Sequence, residues 1–119
     1  TAYEIPKRDW SSDVCSSDLE VFAQHSISTN DITAELGPSI CGRCYEVDSQ
    51  MFRDVTTQIP ATADNTSQSC LNIEAGLVSK LELAGISWKS SGLCTLHDPG
   101  YFSYRRDGVT GRQAGVITL

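Results

Sequence analysis

Basic charge is what this chain lacks most: 9 Lys and Arg stand against 15 Asp and Glu in 119 residues, a formal net charge of -6. A nucleic-acid or membrane-surface partner calls for a basic patch, so neither is expected. No apolar run approaches a membrane span, and no charged start followed by an apolar run marks a secretion signal. The expected compartment is the cytoplasm. Beyond residue 19 there is no internal repeat and no low-complexity tract, and no GxSxG surrounds a serine, which leaves a nucleophile elbow unsupported.

What is present begins with an oddity. In the opening TAYEIPKRDWSSDVCSSDL, Trp10, Val14 and Leu19 fall at spacings that suit neither a helix nor a strand. Written as codons, residues 1–5 and 9–19 resemble the constant parts of a sequencing adapter. Pro6, Lys7 and Arg8 stand where a sample index would lie. Residues 1–19 are therefore expected to be translated adapter and are set apart from the fold. The remaining residues, 20–119, form one domain at most, and a part of a larger core would be marginally stable.

The pattern of those residues predicts alternating helices and strands. The end of a helix is expected at 20–25, a buried strand at 32–36, and an extended stretch at 45–47. Asp48 is placed to cap a helix carrying Met51, Phe52 and Val55. A longer helix over 70–84 has Leu71, Ala75, Val78 and Leu81 as its apolar stripe and Gly85 at its end. A solvated loop is expected at 61–69. Strands are expected at 86–88, 93–95, 101–104 and 114–119, with the turn RRDGVTGR between the last two. The fold class is α/β (α+β).

Three stretches carry chemistry: GPSICGRCYEV at 37–47, CTLHDPG at 94–100 and YFSYRRDGVTGRQAG at 101–115. In the third, Arg105, Arg106 and Arg112 bracket Gly108 and Gly111, a combination suited to gripping an anion. Arg106 and Arg112 can instead pair with Asp107, Glu46 or Asp98 and tie the loop down. Cys41 and Cys44 form a CxxC, weak evidence alone. Cys70 and Cys94 lie far apart and do not complete a zinc ribbon with it, so all four read as reduced, buried structural thiols. A small metal-binding or redox module built on Cys41, Cys44, Cys70 and Cys94 is the alternative. His97 beside Asp98 reads as a surface turn residue in preference to a general base.

GPSICGRCYEV, followed by CT, DPGYFSYRRDG and TGRQAGVI, resembles the laccase-domain family, also called the multicopper polyphenol oxidase or YfiH/YlmD-like family, over essentially all of residues 20–119. The resemblance implies the C-terminal part of a compact α/β fold and, for the complete protein, a zinc-dependent purine nucleoside phosphorylase. Such an enzyme splits adenosine, inosine, guanosine and methylthioadenosine with phosphate and can deaminate adenosine. An older polyphenol oxidase name, with copper as cofactor, also attaches to the family. The family's metal ligands are two histidines and a cysteine in VHG-, ADC- and HAGWRG-type segments, none of which occurs here. No metal is therefore expected on this chain, which by itself should be inactive. Of the substrate site, Arg105, Arg106, Arg112, Tyr104 and Cys44 are the residues carried over, facing purine nucleoside and phosphate.

Overall fold

The computed structural model describes residues 13–63, 69–116 and 118. Among them the order is α1 (Asp13–Gln24), β1 (Thr33–Leu36), α2 (Ser49–Gln58), α3 (Ile73–Leu83), β2 (Ser87–Ser90) and α4 (Tyr104–Asp107), with single 3₁₀ turns at Thr29–Asp31 and Pro60–Thr62. This is a mixed α/β arrangement, as expected. No described helix is long and apolar enough to cross a membrane.

β1 and β2 pair in parallel, with Thr33 opposite Ser87 and Leu36 opposite Ser90. The pairing continues beyond both strands: Ser91 N–H donates to Leu36 O at 3.0 Å, Ser39 N–H to Leu93 O at 3.2 Å, and Thr95 N–H to Ser39 O at 3.1 Å. Parallel neighbours leave the sheet at the same end. The loops after β1 and β2 are thus carried out side by side.

The helices form where local chemistry starts them. Asp48 accepts from Gln50 N–H and Met51 N–H at 3.0 and 2.9 Å and opens α2, as the sequence indicates. Asn72 accepts from Ala75 N–H at 2.9 Å and opens α3. The helix expected from residue 70 therefore starts later. Cys70 and Leu71 instead make antiparallel bridges to Glu46 and Ala63. Gly85, at φ +72, takes the left-handed conformation after the helix, which costs a glycine little.

Leu71, Leu81 and Ile86 form the core with Cys70, and the buried Thr62 packs against Gly76 of α3. Thr62 belongs to the stretch read as a solvated loop. Its side chain turns inward and donates to Ile59 O at 2.7 Å. Residues 64–68 of that stretch lie outside the described residues.

Three expected strands do not form; at 93–95 only Cys94 makes a single parallel bridge, to Ser39. Residues 104–107 are helical because Ser103, buried and extended, accepts from Arg106 N–H at 3.3 Å and caps the turn, which Gly108 ends at φ +70. Residues 114–116 and 118 carry no strand and are exposed, while 117 and 119 lie outside the described residues. β1 is only half-buried, not a core strand.

Candidate metal centre and the arginine helix

The loop after β1 carries CGRC and the loop after β2 carries CTLH. Each closes the same kind of turn. In the first, Cys41 O accepts from Cys44 N–H at 2.9 Å and Tyr45 N–H at 3.1 Å; in the second, Cys94 O accepts from His97 N–H at 3.1 Å and Asp98 N–H at 2.9 Å. Such a turn brings the side chains at positions i and i+3 to one side. Parallel pairing then sets the two turns face to face.

The result is a cluster of Cys41, Cys44, Cys94 and His97, whose Sγ and ring nitrogen atoms all lie within 4.8 Å of one another. Cys44 Sγ stands 3.2 Å from His97 Nε2, and Cys41 N–H donates to Cys94 Sγ at 3.3 Å. The three thiols are half-buried and His97 is exposed; Cys41, Cys94 and His97 line an open cleft of ≈ 540 Å³ together with Arg43 and Asp98. This differs from the reading of all four thiols as buried structural groups. Only Cys70 is buried, and it stands apart, its Sγ 3.6 Å from Arg43 O.

Crowding polarises the thiols. Burial pushes Cys44 up to about 11, reinforced by its hydrogen bond to Cys41 and by the neighbouring charges of Cys41 and Cys94. Burial pushes on Cys94 too, but the backbone N–H groups of Cys41, His97 and Leu96 outweigh it and bring the thiol down to about 6. Three thiolates this close repel one another unless a cation sits among them.

The CxxC was visible in the sequence but lacked a second pair. That pair is Cys94 with His97, a CxxH of the same spacing, in place of the Cys70 that a cysteine-only pattern offers. Residue spacing was the available signal; the parallel pairing that joins the two turns was not.

Arg105 and Arg106 sit on α4 rather than on a turn leaving a strand, and Arg112 lies beyond it. Arg106 donates through Nε and Nη2 to Asp107 at 3.0 and 2.9 Å, through Nη2 to Tyr101 O at 2.7 Å, and through Nη1 to the carbonyls of Thr95, Leu96 and Asp98 at 2.9, 3.4 and 3.1 Å. Hydrogen bonding to Asp107 raises the Arg106 pKa, and its return from Arg106 lowers that of Asp107. A guanidinium has five N–H donors, so this one is fully engaged, with Nη1 tying down the CTLHD loop. Arg105 donates to Glu46 O at 2.6 Å and lies over the Tyr45 ring, 4.6 Å from its centroid. Tyr104 and Arg112 are exposed. Of the expected substrate residues, Cys44 joins the metal-capable cluster, Arg106 braces it, and Arg105 anchors α4 to the segment after CGRC.

A family described as multi-copper polyphenol oxidoreductase laccase matches residues 7–119. A purine nucleoside phosphorylase of Streptomyces griseus is 37% identical over 109 residues, covering 89% of this chain and 44% of the relative. One of Streptomyces coelicolor is 41% identical over 91 residues, covering 74% and 38%. The purine nucleoside phosphorylase YlmD of Bacillus subtilis is 35% identical over 101 residues, covering 76% and 36%. The chain thus spans less than half the length of these curated relatives. No solved structure matches it. With the family match running over nearly the whole sequence, the chain belongs to the multi-copper polyphenol oxidoreductase laccase family.

Proposed function

We propose that residues 20–119 are the C-terminal part of a zinc-dependent purine nucleoside phosphorylase, acting in the cytoplasm on adenosine, inosine, guanosine or methylthioadenosine with phosphate as second substrate, and able to deaminate adenosine. The observation that carries this reading is the 37% identity to the S. griseus phosphorylase across 89% of the chain.

Phosphorolysis places an anion beside a sugar carbon that becomes electron-poor as the base leaves, so the site must hold phosphate firmly. Arg112, exposed after Gly111, and Arg105, fixed over Tyr45, supply positive charge for it. Tyr104 presents an exposed ring on the same short helix. Arg106 holds the loop at residues 95–98, and Cys44 lies in the Cys/His cluster.

The catalytic ligand set implied by the family resemblance, two histidines and a cysteine, does not fit this chain. His25 is exposed just after α1, while His97 belongs to the Cys-rich cluster. No catalytic step is assigned to a metal on these residues.

Residues 20–119 fused behind the preceding part of the S. griseus relative should release free base from inosine only when phosphate is supplied. The 119-residue chain alone should release none. A folded fusion without phosphate-dependent release, beside an active S. griseus enzyme, would remove the reading.

A further inference from the structure

We propose that Cys41, Cys44, Cys94 and His97 form a structural zinc site, separate from the family's catalytic metal, which clamps the loop after β1 to the loop after β2. The donor set is a CxxC and a CxxH, the two-pair spacing that structural zinc takes. Four protein ligands close the coordination shell and leave no position for a reacting water.

Geometry supports the assignment independently of spacing. Zinc–sulfur bonds of about 2.3 Å and zinc–nitrogen bonds of about 2.0 Å at tetrahedral angles put neighbouring donors roughly 3.5–3.8 Å apart. The donors here already lie within 4.8 Å, with Cys44 Sγ and His97 Nε2 at 3.2 Å, so only small movements separate them from a tetrahedron. The two turns are alike in their backbone bonds, and Cys94 Sγ already accepts the N–H of Cys41, an outer bond that holds a thiolate ligand in place.

The surroundings match the charge such a site would carry. Three thiolates and a neutral imidazole around a divalent ion leave one net negative charge. Arg106, bonded to the carbonyls of Thr95, Leu96 and Asp98, sets a guanidinium against the loop that carries two of the ligands. Binding releases the protons of the thiols still protonated in the metal-free chain and involves no oxidation or reduction.

The test uses the 119-residue chain, purified reduced and without chelator, and then with Co(II) in place of zinc. About one zinc per chain is expected, and the cobalt form should show the intense visible bands of a tetrahedral thiolate-rich centre. His97→Cys should keep stoichiometric cobalt and move those bands to longer wavelength, since a sulfur replaces a nitrogen. Cys44→Ser and His97→Ala should lose stoichiometric binding, whereas Cys70→Ala should retain it. Reduced chain with no tetrahedral cobalt spectrum overturns the proposal, as does a Cys41–Cys44 disulfide that persists in place of metal, or a His97→Cys spectrum identical to the parent's. The readout is metal and not activity, so failure of the phosphorylase reading leaves this result standing.

Discussion

Arg106 reaches four backbone carbonyls, those of Thr95, Leu96, Asp98 and Tyr101, and still pairs with Asp107. The ion pair with its sequence neighbour was one of two readings the sequence left open. The carbonyls were not legible, because they belong to a loop whose path is set by Cys94 O and by α4. A lysine keeps the charge but presents a compact ammonium with three donors, unable to span that set. Arg106→Lys should therefore speed amide hydrogen exchange across residues 95–101, read by mass spectrometry. Arg105→Lys should leave that segment unchanged, since Arg105 bonds Glu46 instead.

Among elements, the contact that decides the site is where the CGRC turn rests on the start of α3. Gly42 is buried, and a Cβ added there would stand 2.7 Å from Asn72 Cβ and 2.8 Å from its Cγ. Asn72 cannot retreat without releasing its cap on Ala75. Gly42→Ala should destabilise the protein by about 1–3 kcal/mol in a denaturant melt, the usual cost of overpacking. Gly37→Ala, with nothing within 4 Å, should change stability by less than about 0.5 kcal/mol. The capped start of α2 was legible because an aspartate and the two N–H groups it accepts are sequence neighbours. The helix at Tyr104–Asp107 is not legible as one, since aromatic residues before a glycine-rich stretch suit strand and turn as well, and the Ser103 cap decides for helix.

For the molecule as a whole, the described apolar core is small. Cys70, Leu71, Leu81 and Ile86 are buried, while Leu83, Val109 and Val116 stand 89%, 93% and 87% exposed. A chain of this kind buries too little to fold sharply by hydrophobic burial alone. A bound zinc would add folding free energy directly, because the unfolded chain holds no preformed site. The reduced chain should unfold over a broad temperature range, and a zinc chelator should lower its midpoint and broaden it further, followed by near-ultraviolet circular dichroism. A sharp transition indifferent to chelator would count against both the small core and the clamp.

The sequence by itself determined the mixed α/β class, the caps at Asp48 and Gly85, the stretches that carry chemistry and the family resemblance. These rest on side chains acting within a turn or two of their own backbone. Only the tertiary structure decided that Cys94 belongs with Cys41, Cys44 and His97 rather than with Cys70, and that Arg106 braces their loop. The physical reason is the parallel pairing of β1 and β2: it carries residues 53 positions apart out of the same end of the sheet, a register that composition and spacing along one chain do not encode.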